Sequence, residues 1–159
     1  VEQTTSVATK KESEAYQRRA ELNDLLTGTF NSILRIEERV LNNRITQGLS
    51  ITDVHTIAAV GLHEENPMSV VAARLGVTLA TLTTAVNRLE REGFVQRVRA
   101  EDDRRKVLLS LTAEGRKVHR VHSLFHQHMV DDALLGLTDQ EERVLATALS
   151  KVKRYFDES

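Results

Sequence analysis

A chain of 159 residues, 28% charged and 4% aromatic with a formal net charge of −1, points to a single domain. It holds no cysteine, which excludes a disulfide framework, a thiol nucleophile and a cysteine redox switch, and fits a reducing, cytoplasmic setting. No apolar run reaches bilayer length and no charged-then-apolar leader is present, so no membrane partner is expected.

Residues 1–12 are polar and aperiodic and read as a loose tail. From about Glu14 to Asn43 apolar residues recur every three or four positions, from Leu22 through Phe30 to Leu41. That period is one long amphipathic helix. Ser50 reads as the N-cap of a second helix running to about Leu62, with Asp53 near its exposed N–H groups. The HEENP stretch, His63 to Pro67, ends it. Ser69 reads as the cap of a short helix that stops at Gly76. Thr78 caps the next, which ends at Gly93. Two short alternating strands follow, FVQRVR and KVLLSL, joined by AEDDRR, a hairpin with a charged tip. Thr112 caps a helix to about Leu135. Thr138 and Glu141 form a capping box for the last helix, which carries Val144, Leu145, Ala148, Leu149, Val152 and Phe156 on one face.

Two short helices around a glycine turn, SVVAARL-GVT-LATLTTAVNRLEREG, have helix-turn-helix spacing. At ~100° per residue, Leu79, Leu82, Val86 and Leu89 share an inner face, with Ala85 beside it. Ala80, Thr81, Thr84, Asn87, Arg88 and Arg91 lie opposite, with Thr78 at the helix start. Short threonines let the backbone approach base edges, asparagine pairs with adenine, and arginine pairs with guanine or phosphate. The hairpin after it completes a winged-helix layout, with Arg104, Arg105 and Lys106 placed for the DNA backbone or a narrow minor groove. Asp102 and Asp103 hold an arginine in place through charge-assisted hydrogen bonds. From Arg74 to Lys106 there are eight basic and five acidic residues, an excess of three. Without the hairpin the outer face would be an ordinary solvated one, and the chain a dimerisation module that binds no DNA. An enzyme is not expected. No Gly-rich phosphate loop occurs, and in the His63-Glu64 stretch Pro67 stands where a zinc protease has its second histidine.

The run from Ser69 to Gly115 resembles the winged-helix core of MarR-family bacterial transcriptional regulators, through LGVTLATLTTAVNRLEREGFVQR and DDRRKVLLSLTAEG. The family's Asp-x-Arg wing motif falls on Asp103 and Arg105. The resemblance implies an arginine in the minor groove braced by the aspartate. It also implies a mostly α fold: a winged helix-turn-helix with a two-stranded β-wing and long dimerisation helices. The chain is then one domain over 1–159. Its DNA-binding lobe covers about 50–112, and its dimerisation helices about 14–45 and 113–157. The implied assembly is a homodimer on a pseudo-palindromic operator with half-sites ~34 Å apart.

Two effector readings stand side by side. HRVHSLFHQHMVDD, FNSILRIEE and VHTI are similar to the branch of the family that represses fatty-acid synthesis genes. That similarity implies a long-chain acyl group on acyl-carrier protein as corepressor, with no resident cofactor. The implied apolar tunnel is lined by Phe30, Ile33, Leu34, Ile57, Val121, Phe125 and Met129, with His55, His122 and His126 at the ligand or its carrier. The same residues sit at core spacing, so packing alone also accounts for them. The second reading is zinc: His119, His122 and His126 fall within a ~60° arc of one helix, and an i, i+4 pair can hold the ion.

Overall fold

The computed structural model describes residues 2–42, 45–46, 48–100 and 106–158, the first eleven of them as backbone alone. The chain divides into two compact units, Val1–Ile51 and Thr52–Ser159.

The first unit is dominated by one helix, α1 (Glu2–Leu41). It starts twelve residues before the expected Glu14. The polar stretch ahead of Glu14 has no Gly or Pro, and extending a helix is far easier than nucleating one. Leu22, Leu25, Leu26 and Phe30 on α1 remain between 46 and 63% exposed, so the chain itself does not cover this apolar stripe.

The second unit runs α2 (Ile51–Val60), β1 (Asn66–Pro67), α3 (Met68–Leu75), α4 (Leu79–Arg91), β2 (Val95–Arg99), β3 (Val107–Leu111), α5 (Ala113–Leu134) and α6 (Asp139–Asp157). The sheet order is β1-β3-β2, all antiparallel, with Asn66 opposite Leu109 and Val95 opposite Leu111. The expected hairpin is present. The structure adds β1, which the HEENP stretch does not suggest. Proline is tolerated there because β1 is an edge strand. The core is apolar: Ile57 from α2, Val71 from α3, Val86 and Leu89 from α4, Leu109 from β3 and Val118 from α5 are fully buried. Leu79, expected on the inner face of α4, is 52% exposed, because it lies in the first turn, outboard of Leu82.

Three caps form as read. Thr78, Thr112 and Thr138 each accept a hydrogen bond from the backbone N–H three residues on, and Glu141 completes the box at Thr138. Ser69 is not a cap. Pro67 occupies the N-cap position of α3 and offers no side-chain bond, so the helix begins at Met68 with an unaided end. Among the described residues, no single helix is long and apolar enough to cross a membrane. None of the side chains of α6 is buried, although Val144, Leu149 and Phe156 are large and apolar.

Candidate nucleic-acid interface

Gly76 makes the turn between α3 and α4. It is left-handed (φ 65°), a conformation glycine adopts without strain, and its N–H closes α3 onto Ala72 and Ala73. Thr78 then starts α4, its hydroxyl accepting from Thr81 N–H at 3.2 Å. Leu82, Val86 and Leu89 anchor α4 in the core. Ala80, Thr81, Thr84, Asn87 and Arg91 are exposed on the side expected to meet DNA. The Thr84 hydroxyl donates to Ala80 O at 3.2 Å, so its proton is spent within the helix.

Both flanks of α4 are pinned by arginine. On one side Arg88 reaches α2, where Nη2 pairs with the buried Asp53 carboxylate at 3.0 Å, and Nε pairs with Glu92 at 3.1 Å. These two carboxylates, Glu92 more than Asp53, hold the Arg88 proton more tightly than usual. On the other side Arg97 of β2 bonds Asn87 and Glu90. Arg74 is also engaged inside the lobe, with Ala59 O and Glu64. The local basic excess therefore overstates the charge available to phosphate. Among the described residues, Arg91 and Arg99 are exposed with no ion pair holding them.

The wing follows. Arg99 and Val107 are the last paired residues of β2 and β3, and Ala100 N–H donates to Lys106 O at 3.1 Å, so both ends of the tip are fixed. Lys106 is exposed. Asp103, Arg104 and Arg105 lie outside the described residues.

The MarR-family sequence pattern matches residues 49–107, the helix pair and the wing up to its second strand. The chain is 30% identical over 107 residues to the HTH-type transcriptional regulator BilQ of Clostridium symbiosum, covering 67% of itself and 74% of that protein. The chain belongs to the MarR family. It is a DNA-binding transcriptional regulator with no enzymatic role. It is 29% identical over 99 residues to the regulator YhjH of Bacillus subtilis, of which the aligned part spans 56%. It is similar over 90% of its length to Streptococcus pneumoniae FabT, solved in complex with DNA. The identity is 40%, the TM-score 0.81, and 98% of that chain is covered.

Within this MarR winged helix, Asp53 does more than complement the end of α2. It also braces the recognition helix from behind. Asp53→Ala should lower stability by about 2 kcal/mol, the scale of a lost hydrogen bond to a charged group, and the melting temperature by roughly 4–8 °C. Glu92→Ala, which removes the exposed partner, should cost under about 1 kcal/mol. Equal melting of the two variants would show that the brace is not structural.

The effector residues separate by environment. Ile57 and Phe125 are buried, and Phe30 is 63% exposed. Ile33, Leu34, Val121 and Met129 are half-buried. A cavity of about 170 Å³ between α2 and α4 is lined by His55, Thr81, Leu82 and Ala85 among others. That is below the ~300–1,000 Å³ of small-molecule clefts, so it is not itself a tunnel for a long chain. The histidines group as the lipid reading expects and not as the zinc reading does. His55 of α2 joins His122 and His126 of α5. The ring centroids of His55 and His122 are 5.3 Å apart, and the Nε2 atoms of His122 and His126 are 3.0 Å apart. His119 instead turns to Ser123, at 3.3 Å. Burial, then the Arg120 charge, pushes the His119 pKa below the usual imidazole value.

Proposed function

We propose that this chain is a homodimeric repressor of fatty-acid synthesis genes whose DNA binding is tightened by long-chain acyl groups on acyl-carrier protein. The observation that carries the reading is the likeness to FabT across 90% of the chain at 40% identity. The acyl-responsive branch is supported by the HRVHSLFHQHMVDD stretch. Homodimerisation is supported by α1 and α6, whose apolar side chains are left in solvent by their own chain; large exposed apolar patches are rare on monomers. In the same reading Thr78, Ala80, Thr81, Thr84 and Asn87 address the major groove, and Asp103, Arg104, Arg105 and Lys106 serve the minor groove and backbone; Arg88, expected from the sequence on the DNA-reading face, is held by Asp53 and Glu92 and sets the pose of α4 instead. A ligand acts by preferring one spacing of the two recognition helices over others.

A second reading has its own observation. Two nitrogens bound to one tetrahedral zinc ion lie ~3.3 Å apart, close to the separation of His122 Nε2 and His126 Nε2, and His55 stands beside them. One titration separates the two. Fluorescence anisotropy of promoter DNA should show at least several-fold tighter binding with long-chain acyl-carrier protein, and no change with zinc. Tightening by zinc alone, abolished in His122→Ala, would replace the lipid reading with the metal one. Indifference to both would leave a regulator of DNA with some other effector.

A further inference from the structure

The flank of α4 that faces the wing holds an asparagine already in use. Arg97, the central residue of β2, donates from Nη2 to Asn87 Oδ1 at 2.7 Å. Its other terminal nitrogen pairs with Glu90, one helical turn along from Asn87. The backbone of Arg97 is fixed by its place opposite Leu109 in the middle of the β2–β3 ladder. Asn87 itself is exposed.

An asparagine amide has one carbonyl acceptor and one NH₂ donor, and a guanidinium can only donate. The bond therefore decides which end of the amide faces which way. Oδ1 is turned to Arg97 of the wing strand, and Nδ2 is the end of this exposed amide that Arg97 does not hold. A remaining lone pair on Oδ1 is weakened by the cation that already draws on it. Reading adenine in the major groove needs a donor and an acceptor side by side, for N7 and N6–H. Reading guanine needs donors alone, for N7 and O6.

We infer that Arg97 is a positioning residue that sets the base preference of the recognition helix, holding Asn87 as a donor so that it selects guanine at its base pair. This rests on the reading that the outer face of α4 enters the major groove. It reverses the adenine pairing that asparagine suggests from sequence. Glu90 neutralises Arg97, so Arg97 is not itself a phosphate contact. It also ties base preference to the wing: the strand that carries the tip holds the side chain that orients the base-reading amide.

The test is selection of binding sites from random duplex DNA by the full-length protein, followed by anisotropy on the selected sites at several salt concentrations. Wild type should select guanine at one symmetry-related pair of positions. Asn87→Ala should lose selection at those positions only. Arg97→Ala should shift them from guanine toward adenine, changing the guanine-to-adenine ratio by about tenfold, with an unchanged salt slope. If Arg97→Ala melts early, Arg97→Met keeps the aliphatic stem and takes its place. Selection of adenine by wild type would overturn the inference, as would guanine retained in the Arg97 variant. So would a uniform loss of affinity with a salt slope lower by about 1 per site, the mark of a phosphate contact. If Asn87→Ala changes no position at all, the placement of the α4 face on DNA fails first.

Discussion

Gly115→Ala is expected to destabilise the protein by about 3 kcal/mol or more, the upper range for forcing atoms into a packed site. A Cβ on Gly115 would lie 2.0 Å from the Phe94 carbonyl oxygen, far inside van der Waals separation. That oxygen cannot retreat freely. It accepts from Thr112 N–H and from the Thr112 hydroxyl, both at 3.1 Å, and Phe94 leads directly into β2. The glycine is therefore where the first turn of α5 touches the root of the wing. Calorimetry should place the variant roughly 6–12 °C below wild type. Gly136→Ala is the control, since a Cβ there meets nothing within 4 Å. A Gly115→Ala protein that melts with wild type would mean that α5 does not pack on Phe94.

The second large effect concerns DNA. Arg105→Ala should weaken operator binding tenfold or more at moderate salt while leaving the melting temperature unchanged, since a groove contact is worth ~1–3 kcal/mol. The β2–β3 ladder supports this. Its register runs to Arg99 and Val107, and the Ala100–Lys106 bond fixes the two residues that flank the tip. The dependence of log affinity on log salt should flatten by ~0.9 for each phosphate that is no longer neutralised. Asp103→Ala should give a smaller loss of the same kind, because in the proposed reading Asp103 braces the arginine and its removal keeps the cation. Wild-type affinity in Arg105→Ala, measured by anisotropy on the same operator, would remove the wing from the interface.

Most of the fold is legible in the sequence because its signals are local. The caps at Thr78, Thr112 and Thr138 bond to N–H groups three residues away, and Gly76 makes its turn within its own neighbourhood. What escapes depends on partners far along the chain. β1 is two residues long, too short for any period, and Asn66 finds its partner Leu109 43 positions on. Arg88 and Arg97 are visible in the sequence as positive charge near the DNA side. Their pairing with Asp53 and with Asn87 and Glu90 comes only with the packed lobe. The histidines show the same limit. Spacing on one helix groups His119 with His122 and His126, and only the family resemblance sets His55 with His122 and His126; the fold brings this second set together and leaves His119 with Ser123. Ser69 fails for a different reason: the residue type is right for a cap, but Pro67 already holds the position.

The sheet order bears on how the lobe breathes. Among the described residues β3 is the strand with neighbours on both sides, β1 joining it to the start of α3 and β2 joining it to the end of α4. Fraying of the wing beyond its tip must break into the ladder that also anchors the helix pair. Amide protons of β3 should therefore exchange with solvent at a common slow rate with those of α4, as one cooperative unit. A lobe built this way offers helix pair and wing root to DNA as a single piece.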